Sequence, residues 1–267
     1  SKNSNIFLVN LWHEALTKNG IPKDFVTYLD INREETQRLL KENTHNLDLI
    51  IPRGGEGLIN YIRTNTAVPL LISGRGNNFV YIHDKCDFDM AIDVILNGKS
   101  RLSVCNAIDK VIINVNLPNF KEKAEILIKE LMKINIEVIT DGAQLENFGG
   151  VTKMTDNIYA EEFLSPKILI SETNDIEDAI TTINKYSGGH SAVIIASNDS
   201  TSEDFQNRVD CAAVYQNASS RFTDGGQLGF GAEIAISTQK LHFRGPVGTG
   251  QLVTNKWFIK GNGQIRG

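Results

Sequence analysis

The chain has 267 residues, 41% hydrophobic and 22% charged, a globular composition with enough apolar surface for one large or two modest domains. Lys and Arg number 27 against 32 Asp and Glu, and a net charge of −5 leaves no broad basic field to attract nucleic acid or an anionic membrane. Three cysteines at unrelated spacings do not make a disulfide framework and fit a reducing compartment, most simply the cytoplasm. No apolar stretch approaches the roughly 20 residues that span a bilayer, and no basic-then-apolar leader opens the chain. The first residue is Ser1 instead of Met, as expected of a processed or chosen N-terminus.

In chain order, Ile6, Val9, Trp12, His13 and Leu16 share one helical face over residues 5–18, and Gly20 then Pro22 supply a stop. Phe25 to Leu29 reads as a strand. Asn32 with Glu35 three residues on has the pattern of a helix N-cap. The apolar run Leu47 to Ile51 reads as a buried strand and leads through Pro52-Arg53-Gly54-Gly55 into a helix ending near Ile62. Short strands near Leu70 and Val80 come next, and then a helix from Phe88 to Asn97. Strands are also expected at 110–115, 137–140, 167–171, 192–196 and 212–216, with helices at 120–134, 175–186 and 201–209. This alternation predicts α/β layers around parallel sheets. Residues 219–250 are glycine-rich and aperiodic, as functional loops often are. The expected domain boundary lies just before Cys105.

Several of these positions invite chemistry. Cys105 lies between a helix and a strand, where a thiol can leave the packed interior and act as a nucleophile; most such cysteines are nonetheless buried hydrophobes. The turn at Pro52, Arg53, Gly54 and Gly55 opens a helix, so its amides and guanidinium suit an anion, although an ordinary tight βα turn has the same look. The chain lacks G-x-G-x-x-G. His190 reads as a turn residue before it reads as an acid or base. His83 and Cys86 are too few for a metal site, and Cys86 and Cys211 read as structural. In the segment Ser219, Arg221, Phe222, Thr223, Asp224, the guanidinium could take a substrate carboxylate and Asp224 an ammonium; equally, the charges could satisfy one another. Glu162 and Phe163 precede a strand, where a carboxylate could accept from a ribose or merely be solvated.

Taken together, Ile51-Pro52-Arg53-Gly54-Gly55, Ser103-Val104-Cys105-Asn106-Ala107, the run Asn217 to Gly226, Gly231-Ala232-Glu233-Ile234, Ile236 to His242 and Gly263-Gln264-Ile265-Arg266 closely resemble the gamma-glutamyl phosphate reductase family, of the aldehyde dehydrogenase superfamily. The homologous half of pyrroline-5-carboxylate synthase is similar too. The resemblance runs over essentially the whole chain. It implies an aldehyde dehydrogenase-like α/β fold: a partial doubly wound NADP-binding domain (1–100), a catalytic domain (101–235) and a C-terminal return and oligomerisation segment (236–267). It also implies NADPH-dependent reduction of L-glutamyl 5-phosphate to glutamate 5-semialdehyde in proline biosynthesis, through a thioester on Cys105.

By the same resemblance Cys105 and Asn106 are catalytic, Pro52, Arg53, Gly54, Gly55, Glu162 and Phe163 hold NADP(H), and Ser219, Arg221, Phe222, Thr223 and Asp224 bind substrate. A homo-oligomer and association with glutamate 5-kinase are implied as well; Trp257-Phe258-Ile259 is apolar enough to pair with a neighbouring subunit, and could equally return to its own sheet. The carboxylate base of oxidative relatives would fall in Ile72-Ser73-Gly74-Arg75-Gly76, which holds no acid. Family members begin about 150 residues earlier, upstream of a nucleotide fold that needs about six strands. The upstream lysine and asparagine of that part have no place here, Lys99 to Cys105 is one residue short, and Ser73 to Asn78 and Ser191-Ala192 depart from the usual pattern. Two further readings are open: a truncated fragment that folds and self-associates without turnover, and a Cys105–His190 hydrolase.

Overall fold

The computed structural model describes residues 2–241 and 243–267; Ser1 and His242, the latter part of a motif quoted above, lie outside the described residues. The chain divides into two compact units between Leu70 and Leu71.

The first unit is helical. It holds α1 (Lys2–Lys18), α2 (Arg33–Glu42) and α3 (Glu56–Asn65). Asn32 and Glu35 form a full capping box at α2, Asn32 Oδ1 accepting from Glu35 N and Glu35 Oε2 from Asn32 N, both at 2.9 Å. Three expected strands are corrected. Phe25 closes a short 3₁₀ turn (Lys23–Phe25) and residues 26–29 are irregular, and Leu47–Ile51 and the region of Leu70 contribute one isolated parallel bridge, Ile50 to Leu70. The residues have strand-like side chains, but a strand exists only where a partner takes its backbone groups.

The second unit is a seven-stranded parallel sheet in the order β4-β3-β5-β2-β1-β6-β7. Its strands are β1 (Asn78–Ile82), β2 (Ile108–Asn114), β3 (Glu137–Thr140), β4 (Thr152–Lys153), β5 (Lys167–Thr173), β6 (Ser191–Ile195) and β7 (Ala213–Gln216). The helices are α4 (Phe88–Lys99), α5 (Phe120–Lys133), α6 (Ile176–Tyr186) and α7 (Asp199–Arg208). Val80, Ile82, Val111, Ile113, Val193 and Ile195 pack with α4 and α5 on one face, whereas Phe79, Tyr81, Ile112 and Ile194 pack with α6 and α7 on the other. Strands covered on both faces read as unbroken apolar runs, which is why the sequence pattern located them. Ala235–Ser237 (β8) and Gly245–Val247 (β9) form a separate antiparallel pair.

Residues 71–100 belong to the same compact unit as Cys105. The division by function along the chain is a different matter from compactness.

Two features of the sheet bring the candidate residues together. In a parallel sheet every strand is entered from the same edge, so the segments leading into the adjacent β5, β2, β1 and β6 are neighbours although remote in sequence. The β1–β2 register also slips, with Asn78 opposite Ile108 but Phe79 opposite Lys110. Asp109 is the extra residue, and bulges of this kind re-aim side chains at the end of a ladder.

Candidate active site

Cys105 sits in the turn between α4 and β2 with its thiol exposed, as a nucleophile requires and a core cysteine does not. By contrast Cys211 is buried, Cys86 is half-buried, and burial pushes each of these thiols up to about 11. The Cys105 turn is held from beneath by the entry to β1. Buried Asn78 donates through Nδ2 to the carbonyls of Cys105 (2.8 Å), Ala107 (2.6 Å) and Gly76 (3.0 Å). Gly76 lies directly against the cysteine: a β-carbon there would come within 2.2 Å of the Cys105 carbonyl oxygen and 2.6 Å of its Cα.

Asn106 ties this turn to the 219–224 segment. Its Nδ2 donates to the carbonyls of Arg221 (3.2 Å) and Thr223 (3.1 Å), its Oδ1 accepts closely from the Arg221 guanidinium, and its carbonyl accepts from Ser220 Oγ at 2.7 Å. The Asn106 side chain thus fixes a loop. Within that loop, Ser219 Oγ accepts from Arg221 N at 3.3 Å, and Asp224 Oδ1 accepts from Gly226 N (2.9 Å) and Gln227 N (3.1 Å). Phe222 is 48% exposed, whereas Thr223 is buried with its hydroxyl against Ser191 Oγ (2.8 Å) and Tyr215 OH (2.9 Å).

Glu162 and Phe163 reach the same place from the entry to β5. Glu162 Oε1 accepts from Gly76 N at 3.0 Å; burial pushes this carboxyl up, and the Gly76 amide draws it back down. Phe163 N donates to Asp109 Oδ2 at 2.8 Å, and the Phe163 ring lies under Lys110 Nζ at 3.6 Å from its centroid.

His190 is fully buried. Its Nδ1 meets Ser191 Oγ at 2.9 Å and its Nε2 has no partner, while burial pushes its pKa down to about 4. The ring is neutral at pH 7. His83 pairs with Asp84 at 2.8 Å, and among the described residues no cluster of three or more metal-ligating side chains occurs.

In the first unit, Pro52 is buried and Arg53, Gly54 and Gly55 are exposed ahead of α3. Gly55 is its N-cap with no side-chain cap hydrogen bond, and its carbonyl accepts from Leu58 N at 3.0 Å and Ile59 N at 3.2 Å. A β-carbon at Gly55 or Gly57 would meet nothing within 4 Å, so the approach is open. A cleft of about 510 Å³ runs between α2 and α3, lined by Arg33, Thr36, Gln37, Leu40, Leu58 and Tyr61. Leu40, Leu58 and Tyr61 give it an apolar side and Arg33, Thr36 and Gln37 a polar one.

The sequence pattern missed Gly76, Asn78, Asp109 and Lys110. The signal for three of them was present: Asn78, Asp109 and Lys110 are polar or charged residues inside otherwise apolar strands.

The aldehyde dehydrogenase family profile matches residues 148–232. Gamma-glutamyl phosphate reductase of Clostridium botulinum (strain Eklund 17B / Type B) is 43% identical over 266 residues, covering 99% of this chain and 64% of the relative. The crystal structure of gamma-glutamyl phosphate reductase from Thermotoga maritima superposes with a TM-score of 0.90 at 39% identity, again over 99% of this chain and 64% of the other. An acetylating aldehyde dehydrogenase from Geobacillus thermoglucosidasius, 17% identical with a TM-score of 0.69 and covering 96% of this chain and 66% of the other, shares the fold. The chain has the aldehyde dehydrogenase-like α/β fold and spans about 64% of the length of the curated relatives it matches.

Proposed function

We propose that this chain, a homologue of gamma-glutamyl phosphate reductases over 99% of its own length, carries the catalytic half of a reductase of L-glutamyl 5-phosphate in proline biosynthesis. The observation that carries the reading is the exposed Cys105 thiol on a turn buttressed by Asn78 and Gly76 and tied through Asn106 to the Arg221 loop. The Cys105 thiolate attacks the 5-acyl carbon; the carbon–sulfur bond forms, the bond to the phosphate oxygen breaks, and phosphate leaves with the electron pair. Backbone amides of the turn stabilise the oxyanion, and Ser219, Arg221 and Asp224 recognise the amino-acid end of the substrate.

Glu162 and Phe163 would contact NADP(H), which when bound would supply the hydride that turns the thioester into aldehyde and returns the Cys105 thiolate. In the first unit, Pro52, Arg53, Gly54 and Gly55 are the candidates for holding the cofactor's phosphates. The chain's own residues keep water from competing. The 72–76 segment carries no acid, and Glu162 already accepts the Gly76 amide through one oxygen. The test is NADPH oxidation coupled to phosphate release from glutamyl phosphate, which Cys105→Ser should reduce to background while leaving the fold intact. Phosphate release that persists in Cys105→Ser would reject the reading.

One observation favours a second reading, a fragment that folds and self-associates without turnover: among the described residues ahead of Leu71, a single β-bridge stands in place of a sheet. It forecasts no cofactor-dependent rate from this chain. The cytoplasm, a homo-oligomer and association with glutamate 5-kinase complete the proposal.

A further inference from the structure

The segment 159–163 has no regular secondary structure, yet each of its five residues is pinned by a hydrogen bond from the entries to β1 and β2. Asn77 Nδ2 donates to the Tyr159 carbonyl (2.6 Å), Arg75 Nη1 to Ala160 (2.6 Å) and Lys110 Nζ to Glu161 (2.7 Å). Gly76 N donates to the Glu162 carboxylate (3.0 Å), and Phe163 N donates to Asp109 (2.8 Å). The β-bulge makes this possible by placing the adjacent Asp109 and Lys110 where both reach the segment. Lys110 is wholly buried; its ammonium also donates to Asn77 Oδ1 at 2.8 Å and sits on the Phe163 ring. Asp109 is fixed in turn by buried Lys99, Nζ to Oδ1 2.9 Å. A packed apolar side chain would fill this space without desolvating a cation, so the charge calls for a reason beyond filling.

We propose that Lys110, supported by Asp109, is a positioning residue that holds 161–163 so that the Glu162 carboxylate stays on the Gly76 amide beneath Cys105. The geometry stands without the reductase reading; only the use of Glu162 as a cofactor contact rests on it. The charged groups facing Lys110 are Asp109 on β2, Lys99 on α4, and Glu161 and Glu162 on the pinned segment; Asn77 and Phe163 are its neutral neighbours. Burial pushes the Lys110 ammonium down, Asp109 raises it, Lys99 lowers it, Glu161 and Glu162 raise it, and it comes to rest at about 7. The tether therefore weakens as pH rises past neutrality, since a charge-assisted donor and its ring contact give way to a neutral amine.

The experiment is amide hydrogen exchange at Gly76 and Phe163 in the full chain without substrate or cofactor, from about pH 5.5 to 9, corrected for intrinsic rates, in the native protein, Lys110→Met and Lys110→Arg. Native protection at both amides should fall about fivefold through pH 7, the difference between a charged and a neutral donor. Lys110→Arg should stay protected with a flat profile, and Lys110→Met should be flat and low. A flat native profile, or a native fall that either variant shares, overturns the proposal. Should Lys110→Met not fold, the native and Lys110→Arg profiles decide it alone. Failure of the reductase reading would leave these amides untouched, and failure here would leave Cys105 acylation untouched.

Discussion

At the scale of single residues, Gly76 makes the closest approach of a glycine to backbone. Because a β-carbon would meet the Cys105 backbone at 2.2 Å, Gly76→Ala should displace the nucleophile turn and cost about 1–3 kcal/mol, the usual penalty of overpacking. Chemical denaturation together with alkylation of Cys105 checks this; unchanged values for both would contradict the packing described. His190 makes a pH prediction. Its folded pKa of about 4 lies below the ordinary 6.5, so between these values the unfolded chain binds more protons. The stability this group contributes is complete above 6.5 and is lost as pH falls toward 4, by up to about 3 kcal/mol for a shift of this size. His190→Asn should flatten that part of the stability–pH curve.

At the scale of elements, the site is made of strand entries, and its joints are side chains bonded to backbone carbonyls. Asn106 is the joint between the Cys105 turn and the Arg221 loop. Asn106→Ala strands the half-buried Arg221 and buried Thr223 carbonyls and should cost about 1–3 kcal/mol, with faster proteolysis within 219–231 as the local readout. Equal proteolysis in variant and native chain would deny Asn106 that part. The same architecture explains what the sequence made legible. Helices α4 to α7 and strands β1 to β3 and β5 to β7 were readable because their apolar periodicity is set by faces that a sheet and its helices cover; the two-residue, exposed β4 carries no such pattern and was missed. Phe25–Leu29 and Leu47–Ile51 misled because their pattern carries no trace of whether a partner strand exists; Phe25 is 73% exposed. Cys105 and the Arg221 loop stand out by residue type. Their meeting through Asn106, and the pinning of 159–163, do not, since a carbonyl that accepts a hydrogen bond leaves no mark on the residue carrying it.

At the scale of the molecule, the described residues 252–262 form no helix or strand, and Trp257, Phe258 and Ile259 are 82%, 84% and 89% exposed. An exposed contiguous apolar run of this kind is a candidate for the proposed pairing with another copy. Sedimentation should show a dimer or larger assembly that Phe258→Asp dissociates, and a monomeric native chain would remove the tail from that role. No helix among the described residues is long and apolar enough to cross a membrane. The central claim, that Cys105 is the acyl acceptor, is tested most directly by peptide mass analysis of the chain mixed with freshly generated glutamyl phosphate in the absence of any nicotinamide. One hydroxylamine-labile glutamyl adduct on the peptide bearing Cys105, missing from Cys105→Ser, is the predicted result. An unmodified Cys105 beside a folded protein, or the same adduct on Cys86 or Cys211 instead, would contradict it.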